Sequence, residues 1–149
     1  MNDEPVKFYE NKYYMFSNFS AFLVTYNGRV WMTSEHAYQA AKFDDPSIID
    51  LIYSAPSAYD AKKVARSHTN KVRPNWKGIK VAVMNAIIRE KTAQHSYVRD
   101  KLLETGDREI IENSPEDSFW GTGRDGTGKN TLGKIWMEVR GEIKKGQTI

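Results

Sequence analysis

The chain contains no cysteine. That excludes a disulfide framework, thiolate metal sites and a cysteine nucleophile, and it fits a reducing compartment. Its only histidines, His36, His68 and His95, fall in separate segments without ligand spacing, so no metal site is expected. No window approaches the length of a membrane span. The opening MNDEPVKFYENKYYMF lacks the basic start and apolar run of a secretory leader. An excess of one charge is missing too. The 22 basic and 19 acidic residues leave +3, which mildly suits anionic small molecules but is no polybasic footprint. These absences lead us to expect a cytoplasmic protein with no cofactor and no membrane contact, for which nucleic acid is allowed but not indicated.

What is present suits one domain spanning residues 1–149, long enough to bury a core without staples. The first third is β-like. VKFY is followed by FLVTY and RVWM on either side of Asn27-Gly28, a hairpin signal placed at Phe22 to Met32. Between them MFSNFSAF carries Phe16, Phe19 and Phe22, which read as a turn burying three rings, around Asn18.

Helical patterns dominate the rest. Thr33 and Ser34 can cap SEHAYQAAKF. At helical spacing Glu35, Gln39 and Lys42 share one line beside Tyr38, with Ala37, Ala40 and Ala41 behind. Helical turns follow from Pro46 and from Ser57 to Ala65. A longer helix from Pro74 to about Gln94 carries the stripe Trp76, Ile79, Val83, Met84, Ile87 and Ile88 and is expected at the centre of the core. Ser96 can cap HSYVRDKLLET, Gly106 stops it, and REIIENS reads as a short strand. Leu132, Ile135, Trp136, Val139 and Ile143 then define a last helix, with KKGQTI as a frayed tail. The pattern is α+β, mainly α, with a small β-hairpin or sheet element.

Half of the ten glycines sit in SFWGTGRDGTGKNTLG, Ser118 to Gly133. It holds a GxGxxG match, but an acidic, proline-broken segment precedes it where a dinucleotide fold needs a buried strand. It also holds the glycine and lysine spacing of a P-loop, yet Asn130 stands where Ser or Thr would bind magnesium. Neither motif survives its context. The remaining expectation is that loop amides and the following helix N-terminus hold a phosphate. If the helix with Glu35, Gln39 and Lys42 faces this loop, two carboxylates, an amine, an amide and Trp120 surround one pocket. Such a set can stabilise an oxocarbenium-like sugar, or let a neutral lysine attack its anomeric carbon.

The stretches FSNF (Phe16 to Phe19), WMTSEHAYQAAKF (Trp31 to Phe43) and FWGTGRDGTGKNTLGKIWMEVR (Phe119 to Arg140) resemble the NADAR family, also called YbiA-like. The similarity extends over nearly the whole chain, including RPNWKG and LLETG. It implies a compact, mainly helical NADAR domain and an N-glycosidase acting on phosphorylated ribosides. The candidate substrates it implies are a ribosylamino-pyrimidine of the riboflavin pathway and ADP-ribosylated guanine, so nucleic acid is expected only as a modified substrate. It places Glu35 and Lys42 on the reactive helix and Trp120, Gly123, Asp125 and Asn130 on the ligand loop. The expected catalytic set is Glu35, Lys42 and Asp125. Asn18, Gln39, Trp120, Gly123, Arg124 and Asn130 are expected to bind substrate. A non-catalytic module for NAD-derived or ADP-ribose-like nucleotides is the alternative from the same residues.

Overall fold

Asn27 and Gly28 both adopt positive φ, 51° and 77°, and so close the tight turn that joins β2 (Val24–Tyr26) to β3 (Arg29–Trp31). The strands pair antiparallel with Val24 opposite Trp31 and Tyr26 opposite Arg29, as the Asn-Gly signal requires. The computed structural model describes residues 3–9 and 12–149, so Met1, Asn2, Glu10 and Asn11, which enter the leader reading, lie outside the described residues. Two units divide the chain, Met1–Ser17 with His95–Ile149, and Asn18–Gln94.

In the unit Asn18–Gln94, the hairpin leads into α1 (Ser34–Ala40). The Thr33 hydroxyl caps this helix by accepting the His36 N–H. All seven residues of α1 are buried, because α2 (Pro46–Tyr53), α3 (Ala58–Arg66) and α4 (Trp76–Gln94) complete the unit around it. Asp45 and Ser57 cap α2 and α3 through their side chains, and Pro46 opens α2 where its missing N–H costs nothing. α4 begins at Trp76 and not at Pro74, after a turn in which the Trp76 N–H reaches the Arg73 carbonyl. Its buried face holds Trp76, Met84, Ile87, Ile88, Lys91 and Thr92, while Ile79 and Val83 are only half-buried.

The second unit pairs β1 (Val6–Phe8) in parallel with β4 (Ile110–Glu112), Val6 opposite Ile110. It also contains α5 (Ser96–Glu104) and α6 (Thr131–Lys144). Ser96 is the first helical residue of α5, and the cap position falls to His95, which makes no side-chain capping bond. Gly106 takes the expected left-handed conformation, φ 63°, behind α5. α6 buries Leu132, Ile135, Trp136, Val139 and Ile143, the five positions expected from spacing. The Trp136 Nε1–H donates to the Phe16 carbonyl at 3.1 Å, and the two rings lie 5.0 Å apart. Phe16 is therefore the core member of its phenylalanine trio. Phe19 is exposed and Phe22 half-buried, a correction to the expectation of three buried rings. The architecture is α+β and mainly α, as expected.

Among the described residues, no helix is long and apolar enough to cross a membrane.

Candidate active site

Burial distinguishes the α1 polar line from a solvated helix face. Glu35 is 7% exposed and Gln39 3%, values that a carboxylate and an amide do not reach without partners or purpose. Gln39 lies one turn after Glu35, and its Nε2 donates to Glu35 Oε1 at 2.7 Å. Because a carboxylate only accepts, that bond fixes the amide's orientation and turns Gln39 Oε1 away as an acceptor. Among the described residues, Oε1 finds no donor.

Asn18 adds a second open acceptor to this unit. Its carbonyl accepts the Glu35 N–H at 3.0 Å, tying the FSNF segment to the first turn of α1. Its Nδ2 donates to the Met84 sulfur at 3.3 Å, a weak acceptor, while Asn18 Oδ1 is buried without a partner among the described residues. A bound molecule that offers N–H or O–H groups would complete both amides.

Lys42 lies past the end of α1. The helix tightens as the Lys42 N–H reaches the Gln39 carbonyl at 3.2 Å, so this residue is not part of the regular helix that the spacing implies. The residue is half-buried, and its Nζ stands 5.4 Å from the centre of the Tyr38 ring. Burial pushes the Lys42 pKa below the ordinary lysine value. The Glu35 carboxylate pulls it back up, and the positive charges of Lys62, Lys80 and Arg66 push it down further. A lysine so placed holds its neutral, nucleophilic form at lower pH than a solvated one.

His36 takes no part in this chemistry. It is fully buried, with Nδ1 2.7 Å from Thr33 Oγ1 and Nε2 2.9 Å from the Ala55 carbonyl. Both ring nitrogens are engaged, Nδ1 within the α1 cap and Nε2 in tying α1 to the segment just after α2. Among the described residues, no group of three His, Asp or Glu side chains is placed to hold a metal ion.

The glycine loop of the other unit is held largely by its own amides. The Phe119 and Trp120 N–H groups donate to Asp117 Oδ1 at 2.9 and 2.8 Å. Those of Gly128, Lys129 and Asn130 reach the Thr122, Ser118 and Gly121 carbonyls, and the first amides of α6, Thr131 and Leu132, reach Phe119 and Trp120. These amides, among those expected to cradle phosphate, thus already have acceptors. Gly133 is required by close approach, since a Cβ there would collide with the Ile110 carbonyl and the Asn130 side chain.

The predicted loop residues divide by environment. Asn130 is buried in the left-handed conformation, φ 53°, and makes no helix-capping bond. Its Oδ1 accepts the Glu112 N–H and its Nδ2 donates to the Ile110 carbonyl, both at 2.9 Å, so this side chain secures the loop to β4. Trp120 is also buried, edge-on to Phe119 with centroids 4.8 Å apart. Gly123, φ 71°, precedes exposed Arg124 and Asp125. The Asp125 carboxylate accepts from the Thr127 N–H at 3.0 Å and its hydroxyl at 2.7 Å. These bonds lower its pKa, so Asp125 is an anion at neutral pH and no proton donor.

Two polar residues central to the unit Asn18–Gln94 were not singled out from sequence, Lys91 and Ser20, both fully buried. The signal for Lys91 was available, because it continues the line Met84, Ile87, Ile88 at helical spacing.

Residues 7–144 match the NADAR domain family. The chain is 42% identical over 135 residues to "N-glycosidase Npun_R5314" of Nostoc punctiforme, covering 89% of this chain and 86% of that protein. It is 37% identical over 145 residues to "N-glycosidase YbiA" of Escherichia coli, covering 96% and 91%. A "Riboflavin biosynthesis protein" of Vibrio vulnificus is 40% identical across 96% of this chain, which spans only 40% of that longer protein. Among solved structures, the NMR structure of the E. coli protein YbiA superposes with a TM-score of 0.88 at 36% identity, covering 98% of this chain and 88% of that one.

Proposed function

The chain belongs to the NADAR family, and from that premise we propose that it is an N-glycosidase that hydrolyses the N-glycosidic bond of a phosphorylated riboside. The enzyme class rests on the relatives named N-glycosidases. The observation that carries the chemistry is Lys42, whose pKa is pushed down by burial and which feels the buried carboxylate of Glu35. Between the substrates considered, the Vibrio vulnificus relative's name favours a ribosylamino-pyrimidine of the riboflavin pathway over ADP-ribosylated guanine. A cytoplasmic location belongs to the same reading.

In the proposed reaction the neutral Lys42 amine attacks C1 of the ribose. The C1–N bond to the base breaks, the base leaves with the bonding electron pair, and a proton delivered through Glu35 neutralises it. That proton is the extra one on the Lys42 nitrogen, which passes to the Glu35 carboxylate and from it to the base, so the carboxylate is restored. Expulsion of the ring oxygen, which takes up a proton that the later addition of water returns, gives a protonated Schiff base at C1. Water adds there, the lysine departs as the amine, and the sum is riboside plus water to free sugar plus base. Asn18 Oδ1 and Gln39 Oε1 accept from substrate N–H or O–H groups in this reading. Asp125, an anion, supports positive charge on the sugar, and Trp120, Gly123, Arg124 and Asn130 keep the substrate-binding assignments of their motif positions, Asn130 by shaping the loop.

Two measurements test this. Incubation with a ribosylamino-pyrimidine phosphate or an ADP-ribosylated guanine nucleotide should release free base. A ligand bound tightly yet recovered intact would establish the binding-module alternative instead. Borohydride added during turnover should leave a sugar adduct on Lys42, visible by intact mass and peptide mapping. Turnover without an adduct refutes the covalent route while leaving the glycosidase assignment standing.

A further inference from the structure

An amine in a core is expensive. Desolvating it carries a penalty that an isosteric methionine would not incur, so its presence calls for a purpose that packing does not provide. Lys91 is such an amine, fully buried on α4 two turns beyond Met84. Its Nζ donates to Ser20 Oγ at 2.9 Å and lies 5.2 Å from the centre of the Phe22 ring. Ser20 is itself fully buried. The same face of α4 therefore holds the segment Asn18 to Phe22 at two points, by Met84 at Asn18 and by Lys91 at Ser20. The first is a weak bond to sulfur, so the second, from an amine to a hydroxyl, dominates.

That segment leads directly to the reactive carboxylate. The Asn18 carbonyl receives the Glu35 N–H, and the Asn18 side chain presents its open acceptor from the same residue. We infer that Lys91 is a positioning residue for the reaction, holding Ser20 so that Asn18 and the Glu35 end of α1 keep their geometry. This rests on the reading of Glu35 as a reacting group. Small displacements at such a point cost rate more than affinity, because near-attack geometry is needed only at the reacting atoms.

The test compares wild type, Lys91→Met, Ser20→Ala and the double variant, using release of base from a ribosylamino-pyrimidine phosphate and amide hydrogen exchange read by NMR. Each single variant should lose about tenfold or more in kcat with KM within about twofold, and the double variant no more than the worse single. Exchange at the Glu35 amide should accelerate in each, while the Ala41 amide, which bonds within α1 to the Ala37 carbonyl, stays protected. An unchanged kcat, or an unchanged Glu35 amide in a variant that has lost kcat, overturns the inference. If Lys91→Met does not fold, Ser20→Ala decides alone. Should wild type release no base, the glycosidase reading fails for that substrate, and the exchange comparison still decides whether Lys91 fastens Glu35.

Discussion

Replacing Lys91 by methionine should change the pH dependence of stability more diagnostically than stability itself. Burial lowers the Lys91 pKa from 10.5 to about 7. The unfolded chain binds the proton more tightly, so between these values protonation favours unfolding and wild-type stability rises with pH. Above 10.5 both states are neutral and the penalty vanishes; below 7 it is complete, at roughly 5 kcal/mol for a gap of this size. From pH 7 to pH 9 the titration recovers about 2 kcal/mol of it, from the same linkage relation. Urea unfolding at pH 7, 8 and 9 measures this directly, as the wild-type midpoint climbing relative to that of Lys91→Met. Losing the bond to Ser20 lowers the variant's curve by about 1 kcal/mol at every pH, which shifts the intercept and leaves the slope. All other titrating groups are shared by the two proteins and cancel in the difference. Parallel stability curves would refute the assignment of a strongly depressed pKa to Lys91.

Lys42→Ala should abolish base release, about a thousandfold or more in kcat, with thermal stability little changed; residual activity within tenfold of wild type would remove Lys42 from the chemistry. The kcat/KM of wild type should rise with pH through an apparent pKa below the ordinary lysine value, since the neutral amine is the reacting form. Lys62→Met removes one of the charges that depress Lys42, so it should move that limb to higher pH, and a pH–rate profile that does not move would argue against titration of Lys42. Asn130→Ala strands the Glu112 N–H and the Ile110 carbonyl and should cost about 2 to 3 kcal/mol in urea unfolding. A raised KM at unchanged stability would instead make Asn130 a direct substrate contact.

The elements that could be read from sequence were those whose signal is local. Asn27-Gly28 dictates its turn through backbone sterics alone, and the α6 stripe repeats with the helical period, so both were legible at residue level. Helix boundaries were less so. Whether Ser96 caps or begins α5 depends on small differences between neighbouring residues, and the tightening that leaves Lys42 outside the regular helix depends on what surrounds the helix end. Nothing within SEHAYQAAKF states that its polar line is buried. That is decided by helices that come later in the chain, so the same letters would also suit a solvated face.

Candidate-site chemistry follows the same division, and it explains why spacing gave the residue types but not their assignments. Asn130 and Gln39 are both amides in motif positions, equally plausible as ligand contacts when only letters are compared. Folding uses both ends of Asn130 on the β4 backbone, whereas Gln39 has one end fixed by Glu35 and the other left open. The difference is a count of satisfied hydrogen-bonding groups, which depends on partners 18 to 20 residues away for Asn130 and 4 residues away for Gln39. Lys91 extends the argument to a residue the motifs did not flag. A lysine at a core position of an apolar stripe breaks the local rule that the rest of the helix obeys, and such breaks are retained where function compensates their cost. Ser20 supplies the compensation by linking that amine to the segment that carries Asn18, so the violation and the candidate site are parts of one hydrogen-bonded arrangement within the same unit.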